Sequence, residues 1–136
     1  MKRAGGKGAG GKGDRRARGA AAWRRGRWAE ALCRLVLTLK GYRILAAGRR
    51  SGLGEIDIVA RRGRVLAVVE VKARADLALA HAAIGAAQRR RIVRSAAQFA
   101  ASRPDLAGLD LRFDAMLVAP WRLPRHLRDA WRPEAL

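Results

Sequence analysis

Acidic side chains are scarce in this 136-residue chain: 11 Asp and Glu stand against 30 Lys and Arg, a formal net charge of +19. Such an excess points to a polyanionic partner, most simply nucleic acid, with an acidic membrane surface the weaker choice. Cysteine is scarcer still. Cys33 is the single one, so no intrachain disulfide and no cysteine-rich zinc site can form. His81 and His126 stand far apart and make a poor zinc set with one Cys. No apolar run approaches the length of a membrane span. No apolar segment of roughly 7–15 residues follows the basic N-terminus, which argues against a secretory signal. The expectation is a reduced, cytoplasmic protein with no membrane partner and no small-molecule cofactor.

The length suits one domain with a modest core. Half the residues are hydrophobic, many of them Ala. Basic charge is not confined to one end: residues 1–28 hold ten basic residues and one acid, leaving twenty and ten for the remainder. A high-GC genome also enriches Arg and Ala, so mutational bias is a second source of this composition.

Residues 1–20 are Gly, Lys, Arg and Ala with almost no large apolar side chain. Such a segment cannot bury enough surface to offset its ordering entropy and is expected to be a disordered basic tail, either adding phosphate contacts or simply solvated. A folded domain over 21–119 and a C-terminal extension over 120–136 follow. The first helix is expected from Ala21 to Lys40, with Trp28, Leu32, Leu35 and Leu39 as a core stripe widened by Val36 and with Gly41 as its stop. Trp23 and Trp28 are candidates for stacking on bases, although Trp28 fits the core stripe better. Tyr42–Ala46, Glu55–Ala60 and Val65–Ala73 read as strands, the last two an antiparallel hairpin turning at Arg62-Gly63. A second helix follows over Ala82–Ser102, with Ile84, Ile92, Val93 and Phe99 facing the core, and a fourth strand over Leu109–Val118. The extension, with Pro120, Pro124 and Pro133, reads as irregular chain with a short helix. This order predicts an α/β fold, one mixed sheet with helices packed on it.

The few acids cluster where chemistry needs them. Asp57 lies in Gly54-Glu55-Ile56-Asp57-Ile58-Val59, and Glu70 and Lys72 lie in Val68-Val69-Glu70-Val71-Lys72. Side chains alternate across a strand, so Glu55 with Asp57, and Glu70 with Lys72, share faces that the hairpin sets about 5–8 Å apart. Two carboxylates can hold a hard cation, and a nearby amine can orient a water for attack on a phosphodiester. The competing reading is a solvated face on which Lys72 pairs with Glu70 or Glu55; short motifs of this kind recur by chance. The flanking Val and Ile suit central strands and favour the site.

Six segments in order carry a family resemblance: Gly26-Arg27-Trp28-Ala29-Glu30, Gly41-Tyr42-x-Ile44-Leu45, Gly54-Glu55-Ile56-Asp57, Val69-Glu70-Val71-Lys72-x-Arg74, Gln88-Arg89-Arg90-x-Ile92 and Arg112-Phe113-Asp114. Together, over about Gly26–Val118, they resemble the YraN-like family of small bacterial proteins. That family is similar to the PD-(D/E)xK restriction-endonuclease-like superfamily and its Holliday-junction resolvases. The resemblance implies a restriction-endonuclease-like mixed central sheet flanked by helices, and often a homodimer. It implies that Asp57, Glu70 and the backbone carbonyl of Val71 bind Mg²⁺ (or Mn²⁺), that Lys72 orients or deprotonates the water, and that Glu30 and Gln88 support the site. Read as residues alone, Glu30 is equally a helix-surface acid beside Arg27 or Arg34, and Gln88 a solvated helix residue. Asp114 reads as structural.

Arg49 and Arg50 in the Gly48–Gly54 loop, Arg74, and Arg89, Arg90 and Arg91 beside Gln88 are candidate phosphate contacts. The chain departs from the family where Gly48 replaces a usual Asn and Ala87 a usual Lys, and where Arg74–Ala83 is poorer in Phe, Gly and Pro. The leading expectation is a metal-dependent endonuclease acting on DNA, branched or structured. The alternatives are a nucleic-acid-binding protein on the same fold without turnover, and a basic protein-docking module.

Overall fold

A computed structural model describes residues 26–48, 56–73 and 85–133. The basic tail, Trp23, Arg49, Arg50, Glu55, Arg74, Ile84 and the expected starts of both helices lie outside the described residues. Within them run helix α1 (26–39), strand β1 (Arg43–Ala47), strand β2 (Ile58–Arg62), strand β3 (Val65–Lys72), helix α2 (Ala86–Ala101), strand β4 (Asp110–Leu117) and strand β5 (Arg125–Trp131). The strands form one sheet in the order β1-β2-β3-β4-β5. β3 and β4 are parallel, joined by α2 as a crossover, and every other neighbour pair is antiparallel. This is the expected α/β architecture, a mixed sheet flanked by helices, consistent with a restriction-endonuclease-like domain.

Each helix covers one face of the sheet. On one side Ala29, Cys33 and Leu37 of α1 pack on Ile58, Ala60, Ala67, Val69 and Met116. On the other, Ile92 and Ala96 of α2 pack on Val59, Leu66, Val68, Phe113 and Trp131. β3 is therefore buried on both faces, which explains its nearly unbroken apolar run. Among the described residues no helix is long and apolar enough to cross a membrane.

Local chemistry sets the boundaries. α1 stops at Gly41, whose φ of +92° only glycine adopts cheaply. There the Tyr42 N–H donates to the Leu37 carbonyl (2.9 Å) and the Gly41 N–H to that of Thr38 (3.0 Å), closing the last turn with Tyr42 folded onto Leu37. The β2–β3 hairpin pairs Arg62 with Val65, so two residues make its turn, and Gly63 sits at φ +61°.

Two expectations are corrected. The buried stripe of α1 is Ala29, Cys33 and Leu37, whereas Trp28 (61% exposed), Leu35 (55%) and Leu39 (78%) face outward. Small residues on the helix and at Ala60 and Ala67 of the sheet let the two backbones approach closely, so the inward face carries less bulk than the outward one. The C-terminal stretch is not irregular chain with a helix. Its residues Arg125–Trp131 pair with β4 as a fifth strand, and a bulge opposite Asp114 breaks the alternation that would have revealed it.

That bulge serves a buried charge. Asp114 is fully buried and, as expected, structural. Arg112 donates to both its oxygens (2.8 Å each), and the Asp129 N–H from the bulge donates a third bond (3.0 Å). His126 Nε2 lies 2.8 Å from Oδ2, while Lys40 Nζ meets His126 at Nδ1. An ammonium only donates, so Nδ1 is the acceptor and Nε2 carries the proton to Asp114. Burial pushes the Asp114 carboxyl upward, but the bonds from His126, Arg112 and Asp129 outweigh it and hold the group below the ordinary carboxylate range.

Candidate functional site

The carboxyl end of β3 and the entry to β2 meet at one end of the central strands, on the α2 face. Pairing of Ile58 with Val69 continues one step to set Asp57 opposite Glu70. Two bonds tie Asp57 down. Its carbonyl accepts the Gly48 N–H (3.1 Å) at the end of β1, and its Oδ2 accepts the Val71 N–H (2.8 Å). The half-buried carboxylate is thus aimed along β3.

Glu70 is only 6% exposed. Its Oε1 accepts Gln88 Nε2 (3.2 Å) from the first turn of α2 and lies 3.3 Å from Lys72 Nζ. Burial and then the charge of Asp57 push the Glu70 carboxyl up to about 8, although Lys72 pulls the other way. An ammonium this close would ordinarily depress a carboxyl. Here burial and Asp57 outweigh Lys72, and the shift is upward.

Glu30 approaches from α1. Its Oε1 lies 3.5 Å from where a Cβ would stand on Gly48, the residue that holds the Asp57 carbonyl. The Cys33 thiol reports the same neighbourhood: burial, then Asp57, then Glu30 push it up to about 12, so it is no nucleophile. Gly48 adopts φ +85°, a left-handed conformation that glycine takes at no steric cost.

Asp57, Glu70, Lys72 and Gln88 are therefore brought together, with Glu30 at their margin. Among the described residues no group of three or more His, Cys, Asp or Glu side chains could hold a metal, so Glu30 does not complete a three-acid set. The donor set present still fits Mg²⁺, which uses one or two carboxylates and keeps several waters, and it includes two acids crowded enough to raise one of them. Of the helix arginines, Arg90 and Arg91 are exposed, whereas the Arg89 guanidinium lies 5.6 Å from the centre of the Trp131 ring. The Asp114–His126–Lys40 cluster was not foreseen: only Arg112-x-Asp114, an ion pair on one strand face, is visible without knowing that β5 exists.

Comparison with known proteins finds relatives over most of the chain. The chain is 59% identical to the UPF0102 protein amb4503 of Paramagnetospirillum magneticum over 116 residues, covering 82% of this chain and 90% of that relative. It is 54% identical to a UPF0102 protein of Parvibaculum lavamentivorans over 117 residues (86% and 88% covered). It is 52% identical to the UPF0102 protein Mmar10_3014 of Maricaulis maris over 109 residues (80% and 86% covered). With the profile of that family matching residues 29–118, from the buried face of α1 to the end of β4, the chain belongs to the uncharacterised protein family UPF0102.

Proposed function

We propose that this protein is a divalent-metal-dependent nuclease that hydrolyses phosphodiester bonds in DNA, in the cytoplasm. The observation that carries the reading is the Asp57–Glu70 pair at one end of the central strands, with Glu70 held at about 8 and Lys72 Nζ 3.3 Å from it. A shared cation would relieve the crowding that two such acids impose on each other.

Asp57 and Glu70, with the Val71 carbonyl, would hold the ion, and Mg²⁺ or Mn²⁺ supplies Lewis-acid neutralisation of a phosphate oxygen and a more acidic water. Gln88 fixes the Glu70 carboxylate by its hydrogen bond. Lys72 is the group placed to orient the attacking water and to offset charge on the phosphate. Exposed Arg90 and Arg91, with Arg49, Arg50 and Arg74, are the phosphate contacts; Arg89 contributes through its place against Trp131. No base-reading element accompanies them among the described residues, which favours structure-selective cutting, with branched DNA the first substrate to try, and a homodimer is the assembly the fold suggests. A non-catalytic DNA-binding role is the second reading, favoured by the two-acid set among the described residues.

The test is incubation of the full chain with linear and branched DNA in Mg²⁺ or Mn²⁺ beside Asp57→Ala and Lys72→Ala. Cleavage by wild type should vanish in EDTA and fall roughly 10²–10⁴-fold in Lys72→Ala, the range for loss of a positioned proton-transfer group. Cutting that persists in Asp57→Ala would place the activity elsewhere. Metal-independent binding without any cutting would leave the second reading.

A further inference from the structure

The loop between β4 and β5 reads Pro120-Trp121-Arg122-Leu123-Pro124. Trp121 is 103% exposed and Leu123 85% exposed, so no protein atom covers the indole. Tryptophan has the largest ring to hide, and in folded proteins it is mostly covered. This one is also held in the left-handed region, at φ +63°. A bulky L-residue there is strained, and such strain points to function when the residue makes no packing contact in return. Prolines bracket the loop, and Pro124 is buried at the root of β5, so the exposed segment is short and its ends are fixed.

The loop leaves the sheet beside the candidate site. β3 and β4 run parallel with Lys72 paired to Leu117, and the Val118 N–H donates to the Lys72 carbonyl (2.8 Å). Trp121 lies four residue steps beyond Leu117, a reach of at most about 14 Å at roughly 3.5 Å per residue. That span covers about four nucleotides at 3.4 Å each along a strand. The charge around the indole matches a polyanion. Arg122, Arg125 and Arg128 are exposed, and no acid occurs between Pro120 and Arg128. The family profile ends at residue 118, so the loop lies just past the segment it describes.

We propose that Trp121 is a base-stacking finger: its indole stacks on an unpaired base of a nucleic acid whose backbone crosses Lys72, Glu70 and Asp57, with Arg122 on the adjoining phosphate and Leu123 against the neighbouring sugar or base. The inference rests on the nucleic-acid reading above and names the part of the substrate that the site prefers, an unpaired base within a few nucleotides of the phosphate. Stacking is indifferent to base identity, in keeping with selection by structure.

The experiment measures affinity by fluorescence anisotropy in EDTA for a single-stranded oligonucleotide, the matched duplex and a forked duplex. Full-length wild type, Trp121→Ala and Trp121→Phe are compared, with wild-type cleavage of the fork in Mg²⁺ assayed in parallel. Trp121→Ala should weaken binding to the single strand and fork by roughly 5- to 150-fold, the effect of losing one aromatic stacking partner, and change duplex binding by less than about twofold. Trp121→Phe should recover most of the loss. Equal affinities of wild type and Trp121→Ala for all three DNAs, or an equal loss on all three, overturns the finger even if wild type cuts the fork. The expected pattern without any cutting supports the finger and overturns the nuclease. Absence of DNA binding by wild type overturns both.

Discussion

Replacing Glu70 with Gln removes one negative charge from the Asp57–Glu70 pair while keeping an oxygen to accept the Gln88 hydrogen bond. Glu70 ionises near its ordinary 4.5 in the unfolded chain and near about 8 in the fold. Between those values the folded state binds more protons, so stability is full below pH 4.5 and falls as pH rises through about 8. At about 1.4 kcal/mol per tenfold change in proton affinity the ceiling is about 5 kcal/mol. Lys72, whose side chain keeps 19% exposure, lets water reach this site, and about 2–3 kcal/mol is the expected effect. Urea unfolding followed by circular dichroism, in EDTA from pH 5 to 9, reads it directly. Wild type and Glu70→Gln should agree within about 0.5 kcal/mol at pH 5, and the variant should be the more stable by about 2–3 kcal/mol at pH 9. Millimolar Mg²⁺ at pH 8 should raise the midpoint of wild type and leave that of Glu70→Gln unmoved, because binding to the fold alone stabilises it. Parallel curves for the two proteins across the pH range, or a less stable variant at pH 9, would refute strain between the two acids.

Two further outcomes follow from the packing. Asp114→Ala leaves Arg112 without its bidentate partner and should cost about 3–5 kcal/mol in thermal or urea unfolding; wild type, unlike the variant, should lose stability steeply as pH falls through the depressed Asp114 value, since that stability exists only above it. Leu37→Ala should cost about 2–5 kcal/mol because the side chain is fully buried, whereas Leu39→Ala, at 78% exposure, should stay within about 0.5 kcal/mol by the same measurement.

The hairpin was readable because two simple rules agree on it. Period-two alternation assigns Asp57, Glu70 and Lys72 to one face, and a two-residue turn at Gly63 fixes the register that sets Asp57 against Glu70. Neither rule needs knowledge of distant chain. The α1 stripe misled because helical periodicity weights bulk, and here Ala29 and Cys33 face the sheet while Trp28 and Leu39 face water. β5 escaped because its bulge, with Asp129 at φ +53°, disrupts alternation in a segment rich in charge and proline. His126 then had no visible partner: its meeting with Asp114 and Lys40 depends on a strand pairing that no local pattern announces. Gln88 reaches Glu70 from the next helix, a contact only the crossover could supply.

The close seating of α1 on the sheet acts as a gauge. Ala29, Ala60 and Ala67 are each no more than 1% exposed and leave no slack between helix and strands. Next to Ala29 on the same helix, Glu30 meets Gly48, which in turn holds the Asp57 carbonyl. A single added methylene group at any of those three alanines would lift the helix like a shim under a lever, and the displacement would be felt at Asp57. The smallest side chains in the core thereby set the tolerance to which the acidic pair is built.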